Sequence, residues 1–140
     1  MEDRYYILEL LVRVFTGILF LFQGYDKLFK LKISGVVEAF NFEAQKQNVP
    51  QGFVKVMAAY TSTIEFFGGI LLILGAFKTI ILSLIGLDLV LVAVAFSVIQ
   101  PMWDMKHVYP RLVLVSALLM FPAAWGYFSI DHLIANLLTK

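Results

Sequence analysis

Three side chains that are ordinarily charged, Arg13, Glu65 and Asp88, lie inside runs of apolar residues long enough to cross a membrane. A charge within a lipid bilayer is costly, so such residues usually face the interior of a helix bundle, have a partner and mark a functional site. One interpretation is structural, because Arg13 could neutralise Glu65, Asp88 or both and fix the register of the helices. The other is functional, because two acids around one arginine leave an excess carboxyl group that can hold or pass a proton, or bind a polar headgroup.

The depth of these charges follows from the helical rise of about 1.5 Å per residue. By this count Arg13 lies about 12 Å inside one membrane face and Glu65 about 12 Å inside the other. Asp88 lies about 14 Å from the connection between the second and third runs, which predicts that it is level with Arg13. Long side chains can close such gaps, so Arg13 is expected to reach either acid.

The first apolar run carries a stripe of residues that recur at steps of three and four and therefore share one face of a helix. The stripe comprises Arg13, Gly17, Phe20, Gly24 and Lys27. Gly17 and Gly24 would let a neighbouring backbone approach closely, and Gln23 precedes Lys27 by one turn. The predicted intramembrane polar centre is Arg13, Gln23, Lys27, Glu65 and Asp88, with Lys27 nearer the membrane interface.

Residues 100–111, before the last apolar run, are the segment richest in functional groups. Asp104 and His107 are three apart, a spacing that allows an acid–base pair or part of a metal site. One Asp and one His are too few ligands for a metal, and aromatic residues beside basic ones are also typical of anchors at the membrane interface. Interfacial anchoring, a binding rim and catalysis therefore stay open, with anchoring favoured, and we assign no catalytic residue and no metal site. The rim residues are Trp103, Asp104, His107, Tyr109 and Arg111.

The elements that position these residues are predicted from composition and hydropathy. The chain of 140 residues is 61% hydrophobic and 15% charged, with a mean hydropathy of +0.86. A bilayer core about 30 Å thick needs about 20 apolar residues per helix. Four runs fit, at residues 5–29, 57–77, 79–99 and 112–128. We predict an all-α membrane protein with one domain over residues 1–140, folded as a four-transmembrane-helix bundle.

The loops differ in length and character. In the long first loop, Ser34 could cap a helix whose one face carries Val36, Val37, Phe40 and Ala44. This pattern predicts a short amphipathic helix at the membrane surface, with an ordinary solvated linker as the alternative. The second connection, residues 75–78, is short enough to be a tight helical hairpin.

The distribution of Lys and Arg predicts the orientation, because short cytoplasmic loops carry an excess of them. Loops one and three contain Lys27, Lys30, Lys32, Lys46, Lys55, Lys106 and Arg111, against Arg4, Lys78 and Lys140 on the other side. Cytoplasmic loops and external termini are therefore expected. The acidic start and the lack of a cleavage site predict that the first run is retained as a transmembrane helix. The expected location is the bacterial cytoplasmic (inner) membrane.

Several classes of chemistry are excluded within the chain. It contains no cysteine, so it forms no disulfide, thiolate metal site, iron–sulfur cluster or redox dithiol. Paired intramembrane histidines, as a b-type haem would require, are also lacking. The net charge of +1 without a basic cluster points to no nucleic-acid partner.

The stripe in the first run and a second set in the next run, Tyr60, Glu65, Gly68, Gly69 and Gly75, together resemble the DoxX/DoxD-like family of integral membrane proteins. The aromatic loop and the exit through Tyr127, Ser129 and Asp131 fit this family as well, so the resemblance covers nearly the whole chain. It implies a four-helix membrane fold. The family takes its name from a subunit associated with quinone-linked oxidation of reduced sulfur compounds, and its members are often linked to membrane redox systems. Asp88 has no counterpart in the family pattern.

We therefore expect a non-enzymatic membrane subunit that binds a lipid-like or quinone-like molecule, or a partner protein, in a membrane redox or envelope process. The alternatives are a subunit of a thiosulfate:quinone-type oxidoreductase and a small proton-coupled transporter. We expect no cofactor in the chain itself, with a bound quinone or lipid as the candidate ligand. The expected partners are membrane lipids, with a membrane-protein partner or a homo-oligomer as further candidates. A polar cavity would favour transport, an apolar slot would favour a quinone or lipid, and a packed centre would favour a structural subunit.

Overall fold

A computed structural model of the protein describes residues 3–99 and 108–139. These two ranges are helical and contain no β-strand, which confirms the predicted all-α class. Their α-helices are α1 (Asp3–Tyr25), α2 (Lys32–Lys46), α3 (Gln51–Leu74), α4 (Lys78–Ile99), α5 (Tyr109–Met120) and α6 (Ile130–Leu138). A single π-helical turn, Asp26–Lys30, extends α1, and a 3-10 turn, Ala123–Trp125, precedes α6.

Within residues 3–99 and 108–139, three helical segments are long and apolar enough to cross a membrane, judged by length and composition. They are Asp3–Lys30, Gln51–Leu74 and Lys78–Ser97, which correspond to the runs predicted at 5–29, 57–77 and 79–99. Helices this apolar depend on packing and on lipid for their stability.

The fourth predicted run, 112–128, is not one continuous helix. The helix in this region, α5, has 12 residues and is therefore about 18 Å long, less than the bilayer core. It ends at Met120 because Pro122 disfavours a helical conformation at the preceding residue, and Phe121 is extended, with φ −70° and ψ 131°. The bundle of four complete transmembrane helices stays a prediction.

The helix predicted in the first loop forms as α2, although it begins at Lys32 and Ser34 lies inside it rather than at its cap. Lys32 has a φ of 59°, so the chain changes direction there after the π turn. Val36 and Ala44 are buried, and the ring of Phe40 meets that of Phe96 on α4 edge to face at 5.6 Å. The helix thus packs on the bundle, and its position at a membrane surface stays a prediction.

The close approach of helices that the glycines predict occurs between α1 and α3, which run antiparallel. A Cβ atom at Gly17 would lie 2.9 Å from the carbonyl oxygen of Gly69, and one at Gly24 would overlap the backbone of Phe66. Only glycine fits where two backbones meet at this distance. The contact fixes which levels of α1 and α3 face each other, and so it sets the depth of every polar group on them.

The predicted hairpin between α3 and α4 is present. Gly75 ends α3 in the left-handed conformation, with φ 68°, and Lys78 begins α4. Glycine is the residue that adopts this conformation without strain. Fully buried apolar side chains from four helices pack between this hairpin and the middle of the bundle: Phe20, Leu72, Leu82, Ile85 and Leu118.

Candidate functional site

The predicted polar centre is divided into two separate clusters. The first lies at the hairpin end of the bundle around Arg13, which is fully buried. Its Nε lies 3.2 Å from the carboxylate of Glu9, one turn earlier on α1. Its terminal nitrogens donate to the carbonyl oxygens of Leu72 at 3.0 Å, Ile73 at 2.8 Å and Phe128 at 2.7 Å. One guanidinium therefore ties α1 to the end of α3 and to the segment before α6.

The predicted pairing of Arg13 with Glu65 or Asp88 is wrong, because its partner is Glu9. Glu9 is also fully buried and accepts from Lys78 Nζ at 3.1 Å, which places residue 9 level with the hairpin. Arg13 is then only about 6 Å deeper in the bundle, whereas Glu65 and Asp88 are each ten positions from the hairpin, about 15 Å along their helices. Glu9 is not among the predicted residues, although a carboxylate four residues before an arginine is a recognised helical pair.

The chain beyond α5 completes the first cluster. The carboxylate of Asp131 accepts from the backbone N–H groups of Phe77 at 2.7 Å and Lys78 at 2.9 Å, at the start of α4. The N–H of Asp131 donates to the carbonyl oxygen of Gly75 at 3.2 Å. An acid at a helix N-terminus satisfies donors that the helix itself leaves open. We call Glu9, Arg13, Lys78 and Asp131 the hairpin cluster, and its satisfied contacts indicate a structural role.

The second cluster lies near the middle of the bundle and contains the other predicted residues. Lys27, in the π turn, lies 2.7 Å from Glu65 Oε2 on α3, a contact with the distance of an ion pair but without hydrogen-bond geometry. Glu65 is 1% exposed. Single π-helical turns occur frequently at functional sites. The structure thus brings Lys27 and Glu65 together, as predicted for members of one polar centre. The cation that pairs with Glu65 is Lys27, however, and not Arg13.

Asp88, on α4, is in electrostatic range of Glu65, Lys27 and Arg111. It is therefore level with Glu65 rather than with Arg13, so its predicted depth is corrected. The side chain is fully buried, and neither carboxylate oxygen has a hydrogen-bond partner among the described residues. We call Gln23, Lys27, Glu65, Asp88 and Arg111 the midbundle cluster.

A cavity of about 320 Å³ adjoins the midbundle cluster. Its polar lining side chains lie towards one end and are Gln23, Lys27, Thr61, Glu65 and Arg111. The rest of the wall is apolar and comes from α2, α3, α4 and the start of α5: Val36, Phe40, Phe53, Val54, Met57, Ala58, Leu89, Val92, Ala95, Phe96 and Val108. Asp88 is not part of the lining, so the cavity reaches one of the two midbundle acids.

The cavity is elongated along α3. Glu65 and Phe53 are twelve positions apart on this helix, a span of about 18 Å. Glu65 is buried at the polar end, whereas Phe53 at the other end is 58% exposed. The apolar end of the cavity therefore reaches the molecular surface on the side of loops one and three, where α2 crosses the bundle.

The predicted loop-three rim is only partly within the described residues. Trp103, Asp104 and His107 lie outside them. Tyr109 is 70% exposed and does not line the cavity, which is compatible with an interfacial anchor. Arg111 lines the cavity, so this residue, expected at a rim, belongs to the midbundle cluster. Its position could not be read from the sequence, because it depends on where α5 begins.

Comparison with known proteins places the chain in a family. The sequence model of the family described as DoxX matches residues 8–99, about two thirds of the chain. The match includes the members of both clusters on α1, α3 and α4 and ends before Arg111 and Asp131. Neither a curated protein nor a solved structure matches the chain significantly.

Proposed function

The chain belongs to the DoxX family, and from that premise we propose that it is a non-enzymatic membrane subunit whose cavity binds a single-chain, lipid-like or quinone-like molecule. The observation that carries the proposal is the cavity's division into a long apolar wall and one polar end. Small-molecule sites are usually concave and apolar, with a few polar groups that orient the ligand. An amphiphile with one chain and a small head matches this division.

The size of the cavity supports one chain rather than two. Its volume of about 320 Å³ is at the lower end of the range of about 300–1,000 Å³ that is typical of ligand sites. The buried polar end adjoins Glu65 and the exposed apolar end adjoins Phe53, so the ligand's head would enter first. The resemblance to a family linked to membrane redox systems supports a role in a membrane redox or envelope process.

The apolar wall favours binding over transport. A proton-coupled carrier needs a polar, water-accessible path to its proton-carrying group. The cavity reaches Glu65 through mostly apolar side chains and does not include Asp88 in its lining. A bound amphiphile uses this wall, whereas a polar solute would gain little from it.

The proposal is tested by identifying what co-purifies with the protein. The protein is extracted from its native membrane into nanodiscs, and bound small amphiphiles are identified by mass spectrometry. Ala95 lines the cavity, so Ala95→Phe should fill it and remove the ligand. Val94 is 56% exposed, so Val94→Phe on the same helix is the matched control and should retain the ligand. Equal ligand content in both variants, or none in the parent protein, would overturn the proposal.

A further inference from the structure

The polar end of the cavity contains an acceptor that no described residue satisfies. Gln23 lines the cavity, and its Oε1 is buried without a hydrogen-bond partner in the described part of the chain. Buried polar atoms without partners are rare in native proteins, since each costs free energy. Next to it, Glu65 Oε2 contacts Lys27 as an ion pair without hydrogen-bond geometry. The cavity end thus presents acceptors that a ligand's donor could satisfy.

The same end also presents donors. Arg111 lines the cavity and is partly buried, and no hydrogen bond or ion pair joins it to another described residue. A guanidinium carries five N–H donors and no acceptor. Of the charged residues in the lining, Lys27 and Glu65 offset each other, and Arg111 is in electrostatic range of Glu65 and of Asp88 behind the lining. A head group that fits here must therefore accept from Arg111 and donate to Gln23.

The charges argue against an ionic head group. A cationic head would meet Lys27 and Arg111, and an anionic head would meet Glu65, with Asp88 in electrostatic range behind it. Like charges in a weakly screened site are unfavourable. A hydroxyl group is neutral and is both a donor and an acceptor. It is the smallest group that accepts from Arg111, donates to Gln23 and carries no charge.

We propose that the head of the ligand is a hydroxyl group that donates to Gln23 Oε1 and accepts from Arg111, with its chain along the apolar wall towards Phe53. This inference rests on the proposed function, because it specifies the head group of the molecule that the cavity binds. It selects alcohols and phenols, which include the reduced form of a quinone-like molecule, over esters, ethers and carbonyl compounds such as the oxidised quinone, which accept hydrogen bonds but do not donate them.

Three amphiphiles with the same twelve-carbon chain test the head group: dodecan-1-ol, its methyl ether and dodecanoate. Binding is measured as the rise in unfolding temperature of the protein in nanodiscs as each compound is titrated, with Ala95→Phe as the control for effects on the bilayer. The alcohol should bind about tenfold more tightly than the ether, since the ether leaves the Gln23 acceptor unsatisfied. Equal affinities, or tightest binding of dodecanoate, would overturn the hydroxyl assignment and leave the cavity's function intact. Binding of none of the three would contradict both proposals.

A variant of Gln23 separates the hydrogen bond from general affinity. Gln23→Leu removes the unsatisfied amide and keeps a side chain of similar length, so the protein should fold. It should bind the alcohol and the ether equally, with the ether as tight as in the parent protein. Gln45→Leu, on the exposed face of α2, is the matched control and should keep the tenfold preference. A preference that survives Gln23→Leu would exclude Gln23 as the acceptor.

Discussion

At the scale of the residue, Arg13 and Glu65 are both buried charges within apolar helices, but their surroundings differ. The difference indicates a structural role for Arg13 and a binding role for Glu65. Arg13 donates to one carboxylate and three carbonyl oxygens, all of them parts of the fold. Glu65 has one ion-pair partner among the described residues, and its carboxylate faces a cavity. Buried groups whose partners are all supplied by the protein hold it together, whereas groups left incompletely satisfied beside a cavity are candidates for ligand binding.

Replacement of Arg13 should destabilise the protein strongly. Arg13→Ala leaves the buried carboxylate of Glu9 with Lys78 alone and removes a donor from three carbonyl oxygens, a loss of about 3–5 kcal/mol. The double variant Glu9→Leu with Arg13→Leu should lose less than the sum of its single variants, since the two residues are coupled. Thermal unfolding in detergent measures this, and Arg4→Ala, at an exposed site on α1, is the control. An Arg13→Ala variant as stable as the parent would contradict the assigned pairing.

Asp88 should tolerate loss of its charge better than Glu65 does. Asp88→Asn keeps the shape of the side chain, and no ion pair or hydrogen bond to another described residue is lost, so we expect a change within about 1 kcal/mol. Glu65→Gln breaks the ion pair with Lys27 and should cost about 1–3 kcal/mol. Unfolding of both variants in the same detergent provides the comparison. If Asp88→Asn were as damaging as Arg13→Ala, Asp88 would have to be an ionised partner in the bundle.

At the scale of the element, the contact between α1 and α3 determines where along the helix axes the two clusters lie. Gly24 is opposite Phe66 and Gly17 is opposite Gly69, which brings Lys27 to Glu65 and leaves Arg13 at the end of α3. A shift of one helical turn, about 5.4 Å, would separate Lys27 from Glu65 and Arg13 from the carbonyl oxygens of Leu72 and Ile73. The glycines of the stripe therefore position the polar groups through backbone contact, although they carry no functional group themselves.

Gly24→Ala should destabilise the protein, because the added methyl group meets the backbone of Phe66 and overpacking costs about 1–3 kcal/mol. Gly52→Ala is the matched control: a Cβ atom there meets nothing within 4 Å, and alanine favours the helix by up to about 1 kcal/mol. The two variants should therefore move the unfolding midpoint in opposite directions. A Gly24→Ala variant as stable as the parent would show that the two helices can separate without loss.

The success of the sequence-based predictions varied with the range of the interaction. Long apolar runs predicted three of the helices, and the short connection at residues 75–78 predicted the hairpin, because these features depend on local hydropathy and on the length of the connection. The break at Pro122 and the pair Glu9–Arg13 were also visible in the sequence. The prediction for residues 112–128 rested on the length of the apolar run alone, and the prediction for Arg13 considered only acids on other helices. The pair Lys27–Glu65 and the cavity could not be predicted, since both depend on the relative depth and rotation of separate helices.

At the scale of the whole molecule, the bundle has a closed end and an open end. The hairpin cluster joins α1, α3, α4 and the segment before α6 at one end, where the rings of Tyr5 and Trp125 also stack at 4.7 Å. The other half contains the cavity, covered by α2 and open near Phe53. The satisfied contacts at the hairpin end indicate a structural role, and the cavity at the other end is the proposed ligand site. This asymmetry also defines the two membrane faces that a topology experiment can distinguish.

Single cysteines introduced into the cysteine-free chain should report that topology. With a thiol reagent that acts only from outside the cell, a cysteine at Gln45 on α2 should be protected and one at Thr139 beyond α6 should react. The expectation rests on the excess of Lys and Arg in loops one and three. Both residues are exposed in the structure, so burial does not confound the comparison. The reverse labelling pattern would place the open end of the bundle outside the cell.

The measurement that most directly tests the account is photocrosslinking of a ligand into the cavity. Dodecan-1-ol with a diazirine group midway along its chain is bound to the protein in nanodiscs and activated by light, and the labelled residues are identified by mass spectrometry. We expect labels on Met57, Ala58 and Val92, which line the cavity, and their loss in Ala95→Phe but not in Val94→Phe. Labels confined to exposed residues outside the cavity, such as Phe15 and Phe22, and unchanged by Ala95→Phe, would contradict the claim that this cavity is a binding site.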